Sequence, residues 1–105
     1  MVMELDFSNI QDLESMHLLL KEKFGFPDFY GKNINALIDC LTSLRHPEDC
    51  MTTIVLEKDE ILILRIKSIN FKYSIIINHL FISICDVNQR YESSGNTPPI
   101  HLVLI

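Results

Sequence analysis

The side chains able to do chemistry are few and scattered. Glu57, Asp59 and Glu60 come nearest to paired carboxylates, the groups that glycoside hydrolysis requires. They follow a β-branched stretch and read as a solvated charge run after a strand. His17, His46, His79 and His101 stand far apart, without the short spacings that bring two imidazoles to one metal ion. Cys40, Cys50 and Cys85 are odd in number and lie ten and thirty-five residues apart. That pattern gives neither a disulfide framework nor a zinc pair. No histidine or basic residue adjoins them to activate a thiolate, and Cys40 reads as a buried thiol. Three glycines in the whole chain leave no glycine-rich phosphate loop. No metal, cofactor or catalytic constellation is expected, and the chain is not expected to be an enzyme. Asp39, one helical turn after Asn35, reads on its own as a solvated helix charge.

The bulk properties narrow the kind of partner the chain could meet. The chain has 105 residues and 48% hydrophobic residues, enough for one core and too few for two, so residues 1–105 are expected to form a single domain. The net charge is −5. An acidic chain repels the nucleic-acid backbone and attracts a basic partner. The opening MVMELDFSNI has no basic-then-apolar leader pattern. No apolar run approaches the roughly 18 residues of a membrane span. Reduced thiols and no leader point to the cytoplasm.

The elements of the fold follow from periodicity. Val2–Phe7 alternates apolar and acidic residues and predicts a strand. Asp12 predicts a helix cap, with Ile10 placed to staple it. Leu13, Met16, Leu20 and Phe24 recur at helical spacing. Gly25 and Pro27 end that helix. Phe26–Lys32, FPDFYGK, reads as a loop in which Asp28 is a turn residue. Asn33 predicts the cap of a second helix running from Ile34 to about Leu44. There Ile34, Leu37, Leu41 and Leu44 share one face, and Asn35, Asp39 and Thr42 another. Ile38 lies on the border, core or contact. Tyr30 is equally open between the two.

Thr52–Leu56 is β-branched and predicts a strand. Asp59–Lys67 reads as either a short helix or a strand. Phe71–Glu92 predicts a long helix on the stripe Tyr73, Ile77, Leu80, Ile84, Val87 and Tyr91. His101–Ile105 predicts a last strand. Strands separated by helices imply an α/β fold, a small three-stranded parallel sheet packed with helices.

The segment FPDFYGKNINALIDCLTSL, Phe26–Leu44, resembles the signature of the barstar family. The resemblance rests on Pro27, Asp28, Phe29, Tyr30, Gly31, Asn33, Ala36, Leu37, Asp39, Cys40, Leu41 and Thr42, with His17, Leu20 and Lys21 upstream. It implies a barstar-like fold and an inhibitor that enters the cleft of a ribonuclease. It also implies that Asp39 stands in for an RNA phosphate and pairs with cations of the enzyme, while Phe29 stacks on a catalytic histidine. The contact set implied is Phe29, Tyr30, Gly31, Asn33, Asn35, Ile38, Asp39 and Thr42, with Asp86 of the long helix as a second acid. Gly31 is expected to make the sharp turn before the helix.

The departures from the family pattern bear on the target. Its best-known members carry tyrosine at the position of Phe29, aspartate at Asn35, and tryptophan at Ile38 and Leu44. The expected partner is therefore a basic ribonuclease toxin unlike the best-known one, self-made or delivered by a neighbouring cell. The chain would be a monomer when free and a heterodimer when bound. The competing reading is a barstar-fold interaction module for another basic partner or a non-ribonuclease toxin.

Overall fold

The computed structural model describes all 105 residues. The chain runs β1 (Val2–Asp6), α1 (Leu13–Phe24), α2 (Ile34–Thr42), two single-turn 3₁₀ segments (Ser43–Arg45 and Pro47–Asp49), β2 (Leu62–Lys67), α3 (Ser74–Ser93) and β3 (Ile100–Leu104). The strands form one sheet in the order β1-β2-β3. Both pairings are parallel, with Leu64 opposite Met3 on one side and Leu102 on the other. The expected α/β class and three-stranded parallel sheet are what the structure has.

The middle strand corrects one expectation. Thr52–Leu56 is not a strand, and Leu62–Lys67 takes the central position. Alternation decides the matter. Leu62, Leu64 and Ile66 are buried while Ile63 and Lys67 face solvent, which is the period-two pattern of a sheet with one covered face. The threonines of the earlier segment are committed elsewhere. Thr52 Oγ1 and Thr53 N donate to the Phe24 carbonyl at 2.8 and 2.9 Å, and Leu56 N donates to the Leu44 carbonyl at 2.8 Å. Residues 52–56 therefore tie the ends of α1 and α2 together, and β-branching alone did not make a strand of them.

Local signals fix both ends of α1. The Asp12 carboxylate accepts from Ser15 N at 2.7 Å and from its hydroxyl at 2.6 Å. Gly25 closes the helix in the left-handed region at φ 68°, as a glycine after a helix commonly does. The long helix forms as expected, beginning at Ser74 rather than Phe71. Leu80, Ile84, Val87 and Tyr91 are buried as the stripe predicts. Tyr73 and Ile77 are only half-buried, and Ile76 takes the core position instead. No helix is long and apolar enough to cross a membrane.

Candidate partner-binding surface

The loop before α2 is anchored by aromatic packing. Phe26 stacks on Phe24 with ring centroids 5.5 Å apart and tilts against Tyr30 at 4.8 Å. Tyr30 N donates to the Pro27 carbonyl at 3.0 Å, which closes the turn. Tyr30 is only 6% exposed. With the loop pinned from below, Phe29 projects and is 77% exposed. The backbone reversal falls on Lys32, at φ 52°. That corrects the expectation for Gly31, which has no left-handed φ. A Cβ at Gly31 would instead meet the Asn33 amide nitrogen at 3.2 Å.

Asn33 caps α2 as expected, its side-chain oxygen accepting from Ala36 N at 2.8 Å. Asn35 and Asp39 then point outward, one turn apart. The remaining candidates on this helix are less available. Ile38 is 5% exposed and joins the core, so the border reading resolves toward packing. Leu44 is fully buried. The Thr42 hydroxyl donates to the Ile38 carbonyl at 2.6 Å. Cys40 is buried as expected, and desolvation pushes its thiol up to about 11, far from a reactive thiolate.

The third contributor is α3. Tyr91 lies in the core and its hydroxyl donates to the Thr42 carbonyl at 2.5 Å, which holds the C-terminal half of α3 to the end of α2. One turn around that half lie Asp86 and Arg90. Arg90 pairs with Asp86 at 3.7 Å and with Asp39 at 3.5 Å. The structure thus brings the two acids singled out in the sequence onto one surface, with a cation between them. Arg90 was not singled out from the sequence, although its four-residue spacing from Asp86 signals an ion pair.

Behind the loop lies a buried polar chain. His17 Nδ1 is 2.5 Å from the Tyr30 hydroxyl, and its Nε2 is 2.9 Å from Nε2 of His79. It links α1, the loop and α3. Burial, with the positive neighbours His79 and Lys32, pushes His17 down to about 4. Burial also lowers His79 and raises Tyr30. At neutral pH each contact holds a single shared hydrogen, which satisfies polar groups that would be costly to bury unpaired. No group of three His, Cys, Asp or Glu side chains is placed to hold a metal ion.

A protein-family model described as Barstar (barnase inhibitor) matches residues 1–70. The chain belongs to the barstar family. Over 38 residues it is 47% identical to YrdF of Bacillus subtilis (strain 168), by name a candidate ribonuclease inhibitor. That stretch covers 36% of this chain and 42% of YrdF. The family match takes in β1, α1, the loop, α2 and β2. It stops before α3, so the positions of Asp86 and Arg90 relative to a barstar-type surface come from the packing alone.

Proposed function

We propose that this chain inhibits a ribonuclease by inserting the loop–α2 surface into its active-site cleft, with Asp39 in the place of an RNA phosphate. One observation carries the reading. In a barstar-family chain, the Asp39 carboxylate stands 64% exposed on the same side of the molecule as Asp86, next to a loop that displays Phe29. A carboxylate so placed can take charge-assisted hydrogen bonds from arginines built to hold an anion. Phe29 adds a flat apolar face for stacking. Asn35, Gly31 and the outer edge of Thr42 complete the contact. Tyr30, Ile38 and Asn33 support it from beneath, by packing and capping.

In the cell this activity makes the chain an immunity protein. It would act in the cytoplasm, free as a monomer and bound as a heterodimer with a basic nuclease toxin. The test is inhibition of RNA cleavage by purified barnase and by any nuclease encoded beside this gene. Asp39→Ala is expected to weaken binding to the enzyme that is inhibited by on the order of 2 kcal/mol or more, roughly 30-fold. That size class is borrowed from barstar itself, whose aspartate supplies the best-known case. Unchanged binding after Asp39→Ala would remove the phosphate-mimic role.

A further inference from the structure

The sequence presents Asp39 and Asp86 as two acids for a basic partner, but the structure does not offer them as two free charges. The Arg90 guanidinium reaches Asp39 Oδ1 at 3.5 Å and Asp86 Oδ2 at 3.7 Å. Its place is set by the fold. The buried side chains of Val87 and Tyr91 fix the rotation of α3, and the Tyr91–Thr42 hydrogen bond fixes its docking on α2. The structure thereby places Arg90 beside both carboxylates. Asn35 and Thr42, the other polar positions on the outer face of α2, carry no charge. Asp39, Asp86 and Arg90, with Asp28 and Lys32 of the loop cancelling one another, leave the face with a single net negative charge.

All three side chains are between 45% and 64% exposed. In water such pairs contribute little to stability, so fold stability does not account for the arrangement. It gains weight when a partner excludes water, because the same charges then interact at a much lower effective dielectric. Each cation brought by the partner meets Arg90 as well as the acids. A cleft with several arginines would leave positive charges crowded and desolvated, and that is an energetic penalty against the wrong partner.

We propose that Arg90 is a specificity residue of this surface: it partly neutralises Asp39 and Asp86, disfavours nucleases whose clefts present many cations, and fits one that meets this face with a single uncompensated cation. The proposal rests on the inhibitor reading above and names the kind of enzyme that reading requires.

The test uses barnase as the probe. The full chain, Arg90→Gln, Arg90→Lys and Asp39→Ala are each titrated against it by inhibition and by association and dissociation rates, with circular dichroism as a check on folding. Arg90→Gln removes the charge from a half-exposed position and is expected to bind barnase at least ~10-fold more tightly than the parent. Arg90→Lys keeps the charge and is expected to stay close to the parent. If Arg90→Gln binds equally or more weakly while Asp39→Ala still loses affinity, the role of Arg90 is overturned and the inhibitor reading survives. A gain shared by Arg90→Lys would point to shape rather than charge and also overturn it. If neither the parent nor Arg90→Gln binds barnase, removing the charge has gained nothing and the role of Arg90 is overturned, while the inhibitor reading is decided by the nuclease encoded beside this gene. If Asp39→Ala binds an inhibited enzyme like the parent, the phosphate-mimic reading fails and the inference fails with it.

Discussion

His17 shows how a side chain with no partner in its sequence neighbourhood can find one in the fold. Sequence spacing separates it from every other histidine, and no metal site follows. Yet 62 residues later His79 returns to within hydrogen-bonding distance, a meeting that only the packing of α3 on α1 produces and that no local pattern encodes. Asp39 is the opposite case, because the dense motif around it makes it legible without coordinates. Its exposure follows from helical spacing, whereas its pairing with Arg90 does not. Burial of His17 makes stability depend on pH. The folded imidazole takes up a proton only near pH 4, while an unfolded histidine does so near ~6.5. Between those values the unfolded chain holds more protons, so stability rises with pH. It is complete above ~6.5 and declines as pH falls toward 4, where this contribution is exhausted. Each tenfold difference in proton affinity between folded and unfolded chains is worth ~1.4 kcal/mol, so the loss is on the order of 3 kcal/mol. Burial lowers His79 in the same direction. Urea midpoints at about pH 7 and about pH 4.5 should fall clearly for the parent and much less for His17→Gln. Equal falls in both proteins would assign the acid sensitivity to other groups.

At the scale of elements, caps and periodicity were the legible features. Asp12, Gly25 and Asn33 mark helix ends through chemistry that acts within four residues, and all three do so in the structure. The strand pair was harder. Thr52–Leu56 has the better strand composition, and Leu62–Lys67 has the better alternation. The sheet selects alternation, because a strand with one covered face must put every second side chain into the core. The threonine segment instead closes α1, and there Gly25 has no room for a side chain. A Cβ at that position would lie 2.2 Å from Thr53 Oγ1 and 2.8 Å from its Cβ, at a φ of 68° that disfavours any L-residue. Gly25→Ala should therefore destabilise the fold by about 2 kcal/mol or more, beyond the ~1–2 expected from the backbone conformation alone. Gly95 is the control. It also has a positive φ, but a Cβ there meets nothing within 4 Å, so Gly95→Ala should show only the backbone effect. Equal losses of urea midpoint in the two variants would mean that the contact with Thr53 relaxes without cost.

For the whole molecule, charge and contact are separate quantities. The net charge is −5, while the proposed contact face carries about one negative charge once Arg90 is counted. Most of the excess acid thus lies away from that face, on groups such as Glu22 and Glu57 that are exposed. On the proposed inhibitor reading, such charges would steer a basic enzyme toward the protein at long range without entering the complex. Their reach is bounded by the Debye length, about 8 Å at physiological salt and longer in dilute buffer. On the same reading the face would act only after docking, through desolvated contacts that hold the complex together. Salt should therefore separate the two. Between low and high ionic strength, association with an inhibited nuclease should slow by about tenfold or more, with dissociation little changed. Arg90→Gln is expected to change the dissociation rate at every salt concentration and to leave most of that slope in place, because it alters one charge among many. Association rates that do not move with salt would mean that the acidic surface plays no part in finding the enzyme. A dissociation rate that carried the whole salt effect would place the acid excess inside the contact, against the distribution described above.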